Sequence, residues 1–265
     1  MHSYFQRQVE IAARVDRVYD FALPPLVLHA LHTGDVDPLL TWLGVRPANC
    51  VTVLDTHDGI GVVDVGADPA DPAGSPGLLT PGQIHDLVEA MHDACGGTSR
   101  LATGAVASNV DLYQVNCTYY DALGRDDAKY VLARLLQFFT PGVPQVYYVG
   151  LLAGVNDVEL LRRTGVGRDV NRHHYTLGEI EEALARPVVQ GLFGAIRFRN
   201  THPAFRGTFS CGGRDGSVWL EWSDGTARAR LDAQPGRSAW AVTYTQPDGA
   251  VRTTSDARAL PGVAG

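Results

Sequence analysis

A short apolar run that breaks abruptly into polar side chains, Val51-Thr-Val-Leu-Asp-Thr-His-Asp-Gly59, most constrains how this chain can fold. Residues 51–54 predict a strand buried on both faces, as in parallel sheets covered by helices. Such folds carry their chemistry at the carboxyl ends of the strands. There, Asp55, His57 and Asp58 can hydrogen-bond a polyhydroxylated substrate or stabilise a developing positive charge. The alternative is that the two aspartates shape the turn and cap the next helix.

Signals for strands and helices alternate about three times before residue 205. We predict strands over 18–21, 51–54 and 145–149, and helices over 2–14, 25–32, 129–139 and 186–199. Alternation of this kind favours an α/β protein with a parallel sheet. A closed parallel barrel needs eight strands, so three strands cannot close one.

A long connection between Gly59 and about residue 109 interrupts this alternation. It passes through Asp68-Pro-Ala-Asp-Pro-Ala-Gly-Ser-Pro-Gly77, which has little potential for helix or strand, and a helix is predicted over 84–94. We expect an inserted loop domain over 59–109, although a disordered surface loop also fits residues 67–77. The glycines at 59 and 61 are not a dinucleotide site, because the third glycine of that motif is absent.

The hydrophobic pattern changes to a period of two after about Gly207. Val218, Leu220 and Trp222 alternate with polar or outward-facing positions, and Pro247-Asp-Gly249 is typical of a hairpin turn. The sequence therefore predicts a small antiparallel β domain over 206–265.

Composition and charge argue against several classes of protein. The 265 residues are 45% hydrophobic, with no apolar run long enough to cross a bilayer and no visible secretory signal. A net charge of −7 argues against nucleic acid as a partner, and nothing indicates a membrane partner. The four cysteines are widely spaced, which indicates reduced thiols in a cytoplasmic protein and no zinc site.

Six segments, in order along the chain, resemble the sucrose phosphorylases of the α-amylase superfamily. The most specific is Leu54-Asp-Thr-His-Asp-Gly-Ile-Gly-Val62, which is similar to the strand-seven motif of that family. The other five are His2–Ile11, Arg17–Pro25, Ser108–Asn116, Pro141–Gly150 and Gly167–His174. The resemblance extends from residue 2 to about residue 205, and the last ~60 residues are compared only loosely.

The resemblance implies roles for individual side chains. Asp58 would be the third carboxylate of a catalytic trio, which holds sugar hydroxyls and stabilises an oxocarbenium-like transition state. His57 would donate to the same glucose ring, and Arg168 would lie near the glucose and acceptor sites. The acceptor side would be formed by a mobile loop and by a residue near the N-terminus: Asp111, Leu112, Tyr113, Gln114 and His2.

Ordinary structural roles stay open for these side chains. The strand-end residues would then form a polar turn, Arg168 would pair with Asp169 on an exposed loop, and Tyr113 would be a packed aromatic. His29 and His32 lie one turn apart on a predicted helix. Their spacing suggests no third ligand, so core or surface histidines are favoured over a metal site.

The resemblance also implies the fold and the parent reaction. The fold would be a partial (β/α)8 TIM barrel with strands six to eight over 1–205, an inserted loop domain over 59–109, and a C-terminal antiparallel β domain over 206–265. The reaction would transfer glucose from sucrose to inorganic phosphate through a glucosyl–enzyme ester. It would give α-glucose 1-phosphate and fructose with retention, without a cofactor or metal.

In that family, a glutamate two positions before the residue matching His2 and an aspartate on the preceding strand complete the catalytic trio. We therefore expect residues 1–265 to lack two of three catalytic carboxylates and to be inactive alone. Three interpretations follow: a truncated product of a phosphorylase gene, a split enzyme completed by an N-terminal half chain, or a non-catalytic sugar-binding half-barrel. A homo-oligomer and a related α-glucoside phosphorylase or hydrolase also stay open.

Overall fold

The computed structural model of the chain describes residues 4–71, 73–103 and 114–262. The α-helices in these ranges are α1 (Phe5–Ala12), α2 (Leu23–Thr33), α3 (Asp37–Val45), α4 (Pro81–Ala94), α5 (Thr98–Ala102), α6 (Tyr119–Ala122), α7 (Asp127–Phe139), α8 (Tyr148–Leu151), α9 (Val158–Thr164), α10 (Leu177–Ala185) and α11 (Pro187–Thr201). The strands are β1 (Val18–Asp20), β2 (Cys50–Thr52), β3 (Ile60–Gly61), β4 (Gln114–Val115), β5 (Val143–Pro144), β6 (Thr208–Arg214), β7 (Ser217–Asp224), β8 (Ala227–Gln234), β9 (Ala239–Thr245) and β10 (Val251–Thr254).

Three short strands in the first part of the chain form a parallel sheet in the order β1–β2–β5. The strands predicted over 18–21 and 51–54 correspond to β1 and β2, with ends shifted by one or two residues. β2 lies in the middle and pairs in parallel with both neighbours. The polar residues that follow β2 therefore leave the sheet from the carboxyl end of its central strand.

The strand predicted over 145–149 is wrong. The third strand is only Val143–Pro144, and the chain soon turns into the short helix α8. This turn brings Gly150 against the side chains of Asp55 and Arg134, where a Cβ atom would clash. These apolar residues therefore form a helical turn instead of a strand. The turn places Gly150, which has no side chain, beside the ion pair.

Two helices supply much of the core beside the parallel sheet. The first nine residues of α2 are buried, and Leu23 N donates to Asp20 Oδ1 at 3.1 Å where the helix begins. The Asp126 side chain accepts from two backbone N–H groups in the first turn of α7. The helices predicted over 25–32 and 129–139 each begin two residues earlier than predicted. In both, a preceding aspartate accepts from the start of the helix, from one backbone N–H in α2 and from two in α7.

The described part of the predicted insertion over 59–109 contains β3, α4 and α5. β3 pairs antiparallel with β4, so the connection returns beside its own starting point. α4 begins at Pro81, earlier than predicted, because Thr80 and Gln83 form a capping box. Residues 104–113 lie outside the described residues.

Five antiparallel strands follow α11 in the order β6–β7–β8–β9–β10, as a continuous meander. The predicted C-terminal antiparallel sheet is therefore confirmed. Trp222 of β7 donates its indole N–H to the Phe139 carbonyl at the end of α7, at 2.7 Å. One hydrophobic core contains residues from Ala22 to Leu260 and so extends across the predicted boundary between residues 205 and 206.

The four cysteines are free thiols, three of them buried: Cys50, Cys95 and Cys117, with Cys211 half-buried. Burial raises the pKa of Cys50 to about 11, so its reactive thiolate form is scarce at neutral pH. Within the described ranges, no helix has both the length and the apolar character to cross a membrane.

Candidate active site

A buried ion pair anchors the turn that follows β2. Asp55 Oδ2 lies 2.6 Å from Nη2 of Arg134, and both side chains are almost completely inaccessible to solvent. The same Nη2 donates to the Tyr130 hydroxyl at 2.7 Å, and this hydroxyl donates to the Gly150 carbonyl at 2.7 Å. A buried ion pair is better supported when further hydrogen bonds satisfy its members. Here both terminal nitrogens of the guanidinium group donate to neutral side chains, Nη2 to Tyr130 and Nη1 to Gln137 at 3.0 Å. The strand end is therefore held in one orientation.

Asp58 stands three residues beyond this anchor and faces cationic side chains. Its Oδ1 lies 3.0 Å from Nη1 of Arg168 and 3.6 Å from Nη2 of Arg172. His57 Nε2 lies 3.6 Å from the same oxygen. The Asp58 side chain is 31% exposed and that of His57 is 67% exposed, so a solute could reach both.

The two arginines are presented by a second segment, the 3₁₀ turn Gly167–Asn171 and the residue after it. Asn171 Nδ2 donates to the carbonyls of residues 56 and 58, at 2.8 and 3.2 Å. Arg172 Nε donates to the His57 carbonyl at 2.9 Å. These bonds join two segments more than a hundred residues apart, so the spacing between Asp58 and the arginines is set by backbone contacts as well as by charge.

This arrangement can bind a polar, uncharged ring and stabilise positive charge that develops on the ring during a reaction. The Asp58 carboxylate can accept from hydroxyl groups and stabilise a nearby positive charge, while planar guanidinium groups donate to hydroxyls or to a phosphate. The alternative of a helix cap is wrong, because the element that follows residue 58 is the strand β3 and α4 is capped by Thr80. Arg168 faces Asp58, and Asp169 instead lies 3.3 Å from Nη1 of Arg172.

Curated relatives match most of the chain. A sucrose phosphorylase of Agrobacterium vitis is 62% identical over 232 residues, which are 87% of this chain and 47% of that protein. A sucrose phosphorylase of Bifidobacterium adolescentis is 56% identical over 238 residues, which are 89% of this chain and 47% of that protein. The chain is homologous to the C-terminal half of the sucrose phosphorylases. It spans about half the length of these curated relatives.

A solved structure agrees with this assignment. The crystal structure of a sucrose 6F-phosphate phosphorylase from Thermoanaerobacter thermosaccharolyticum superimposes with a TM-score of 0.82 at 38% identity. The match covers 96% of this chain and 50% of that chain. No family model matches the chain. The likeness to these phosphorylases therefore rests on pairwise similarity in sequence and in fold, which covers most of this chain and about half of each relative.

The structure brings together three of the residues that the sequence singled out as part of a sucrose phosphorylase site: Asp58, His57 and Arg168. Gln114 is fully buried in β4, where it pairs with Gly61 of β3 and its Nε2 donates to Asn116 Oδ1 at 3.1 Å. The other predicted acceptor-side residues lie outside the described residues: His2, Asp111, Leu112 and Tyr113.

The histidines predicted to be structural have structural partners. His29 Nε2 lies 3.4 Å from Asp35 Oδ2, and His32 Nε2 lies 2.9 Å from the Ala122 carbonyl oxygen. Burial lowers the pKa of His32 despite that hydrogen bond. In the part of the chain that the structure describes, no group of three His, Cys, Asp or Glu side chains is arranged to hold a metal ion.

Sequence reasoning missed two residues of this candidate site, Asn171 and Arg172. Both lie in the segment Gly167–His174, which was noted for its resemblance, yet only Arg168 was singled out from it. A second arginine four positions after the first, on a turn with polar residues between them, was the available signal. This signal did not show whether Arg168 or Arg172 would face the Asp58 carboxylate.

Proposed function

We propose that this chain forms the glucose-binding and phosphate-binding side of a sucrose phosphorylase active site. In this proposal β1, β2 and β5 are barrel strands six, seven and eight of a TIM barrel, and the antiparallel sheet is the C-terminal domain of such an enzyme. The proposed substrates are sucrose and inorganic phosphate, and the products are α-glucose 1-phosphate and fructose. The cysteine usage supports a cytoplasmic location for the enzyme.

The observation that carries this proposal is the ion pair between Asp58 and Arg168 at the carboxyl end of a parallel sheet. Parallel-sheet enzymes place their chemistry at that end. The 62% identity to a sucrose phosphorylase, which is higher than the 41% identity to a glucosylglycerol phosphorylase of Marinobacter adhaerens, supports sucrose as the glucosyl donor.

In the proposed mechanism, Asp58 accepts hydrogen bonds from glucose hydroxyls and stabilises the positive charge that develops on the ring as the glycosidic bond breaks. His57 donates to the same sugar. Arg168 holds Asp58 in place and offers its remaining N–H groups to the sugar or to the incoming phosphate. The nucleophile and the acid/base would come from other carboxylates of the complete barrel.

A chimaera tests the proposal. Residues 1–265 would replace the matching C-terminal half of the Agrobacterium vitis relative, and glucose 1-phosphate release from sucrose and phosphate would be measured. We expect an active chimaera, and a loss of about 10²–10³-fold in kcat for Asp58→Asn, the size typical of removing one group that stabilises transition-state charge. The isolated chain should show no turnover.

The matched control is Asp248→Asn, which changes an exposed aspartate in the hairpin turn between β9 and β10 and should leave the chimaera fully active. Sucrose, sucrose 6F-phosphate and glucosylglycerol would be offered in parallel. An Asp58→Asn chimaera as active as its parent would contradict the proposed role of Asp58, and faster turnover of another donor would reject sucrose.

A further inference from the structure

An imidazole ring held between two carboxylates lies just beyond the arginines of the candidate site. Nδ1 of His173 lies 2.6 Å from Asp157 Oδ2, and its Nε2 lies 3.1 Å from Glu179 Oε1. A ring that faces an acceptor at each nitrogen satisfies both only when it is protonated and donates twice. The ring also packs edge-on against Tyr175, with centroids 4.5 Å apart.

The two carboxylates belong to the starts of two helices. Asp157 is the N-cap of α9 and accepts from the backbone N–H of Leu160. Glu179 is the third residue of α10 and completes a capping box with Thr176. His173 therefore ties its own loop to two helix ends through carboxylates that also cap those helices.

The same loop carries the arginines. His173 follows Arg172 directly, and the His173 carbonyl accepts from the Tyr148 hydroxyl at 2.8 Å. The Asp157 backbone N–H donates to the Val170 carbonyl at 2.8 Å, so the start of α9 also holds the 3₁₀ turn. Movement of the His173 ring away from the carboxylates would remove the side-chain contacts that hold the end of the segment that reaches Asp58.

We infer that His173 is a positioning residue: as an imidazolium bridging Asp157 and Glu179, it holds the segment 167–173 so that Arg172 and Arg168 stay on Asp58. The importance of this geometry for glucosyl transfer rests on the proposed function, whereas the clamp itself does not. Deprotonation of His173 leaves one carboxylate without a donor and loosens the clamp. The contact between the arginines and Asp58 then depends on pH.

The charges around the ring favour the protonated form. Burial alone lowers the pKa of His173, but the hydrogen bonds to Asp157 and Glu179 outweigh it and raise this pKa above its ordinary value. The other ionisable side chains that line the cleft beside the ring, of about 690 Å³, are Tyr175, Glu159, Glu182 and Arg186, and Tyr148 packs on Tyr175. Despite some burial, hydrogen bonds from the helix starts and from His173 lower the pKa values of Asp157 and Glu179, so both carboxylates stay ionised in mild acid. Because the folded-state pKa of His173 is raised, the clamp is complete in mild acid and is lost as the pH rises through that value.

Nuclear magnetic resonance of the chain tests this inference without using catalytic activity. The histidine ring carbons and the Arg172 Nε–H would be followed across the titration of His173. We expect the Arg172 signal to shift with the same midpoint as the His173 ring. In His173→Gln this pH-dependent step should vanish, and exchange of the Arg172 Nε–H with solvent should accelerate about five- to tenfold at matched pH.

Two further variants keep the test decisive. Glu179→Gln preserves an oxygen for the capping box but removes one charge, so both midpoints should move together to lower pH even if His173→Gln folds poorly. The control is His174→Gln, which changes the exposed neighbouring histidine and should leave both midpoints unchanged.

The inference is overturned if the Arg172 step persists in His173→Gln. It is equally overturned if Glu179→Gln shifts the titration midpoint of His173 while the midpoint of the Arg172 signal stays unchanged. The chimaera reports separately on the proposed function: an inactive chimaera whose Arg172 signal still follows His173 would reject the activity and leave the clamp intact.

Discussion

Two aspartates three residues apart have opposite environments in this protein. Asp55 is buried against a single arginine, whereas Asp58 remains partly exposed among two arginines and a histidine. The buried charge fixes the backbone and the exposed one is available to a ligand. This division means that the two side chains should respond very differently to substitution of their partners.

Removal of the Arg134 side chain should destabilise the fold strongly. Arg134→Met leaves the Asp55 carboxylate buried without its counter-ion, which typically costs about 3–5 kcal/mol. Urea unfolding followed by tryptophan fluorescence would measure it. The control Arg100→Met removes an exposed partner of Glu89 and should change stability little. An equal loss of unfolding free energy in the two variants would show that the buried pair stabilises the fold no more than the exposed pair does.

Three histidines should make the fold sensitive to mild acid. Burial lowers the pKa values of His32, His92 and His202, so the unfolded chain binds protons that the folded chain excludes. The free energy of unfolding should therefore fall as the pH drops from about 7.5 to about 5.5. His92→Gln should flatten part of this dependence. A chain that is more stable at the lower pH would mean that the opposite contribution of His173 dominates.

At the residue scale, the position of His57 and Asp58 just beyond a strand end was predictable because they follow closely on a buried apolar run, whereas their roles came from the resemblance. Arg168 came from the resemblance. Asn171 and Arg172 contact carbonyl groups some 113 to 115 positions away, and local pattern carries no information about such contacts. The buried partner of Asp55 was hidden for the same reason: Arg134 lies within the predicted helix 129–139, and a local pattern does not show a partner 79 positions away.

At the scale of elements, the ends of helices were decided by single polar side chains. Thr80 accepts from Gln83 N at 3.3 Å and Gln83 Oε1 accepts from Thr80 N at 2.9 Å, which starts α4 earlier than its apolar pattern indicated. The β meander was predictable because its period of two is regular. The helical turn α8 was not predictable in the same way, and a strand over 145–149 was predicted in its place. Packing against the Asp55–Arg134 pair overrides the local strand propensity there.

The start of α4 offers a direct measure of one cap. Thr80→Ala should lower the free energy of unfolding by about 1 kcal/mol, because it leaves backbone donors in the first turn without an acceptor. Hydrogen exchange of the first turn of α4 should accelerate in the same variant. Thr80→Ser keeps the hydroxyl and should restore most of the loss. A full loss in Thr80→Ser would indicate that the threonine methyl group, not the cap, is responsible.

At the scale of the whole molecule, both outer strands of the parallel sheet have one unpaired side within the described residues. Tyr19 of β1 is 43% exposed and stacks on Phe21, with ring centroids 5.4 Å apart. Exposed strand edges with apolar side chains promote association between chains. We expect the isolated chain to self-associate.

Charge at this edge should reduce the association. Tyr19→Lys adds a lysine to the open strand, a device that natural edge strands use against pairing. Sedimentation velocity at several concentrations would follow the weight-average mass. The control Val251→Lys adds the same charge at the 67% exposed position on β10. A similar drop in mass for both variants would place the contact elsewhere.

The hydrogen bond from the Trp222 indole to the last carbonyl of α7 matters when segments of related proteins are recombined into chimaeras. α7 also carries Arg134, which pairs with Asp55 at the end of β2. A crossover at residue 206 would therefore pack the β meander of another protein against this helix in place of the native one. Donor segments should instead include α7 and β7 together. Shuffled libraries that respect this unit should yield more folded members than those cut between them.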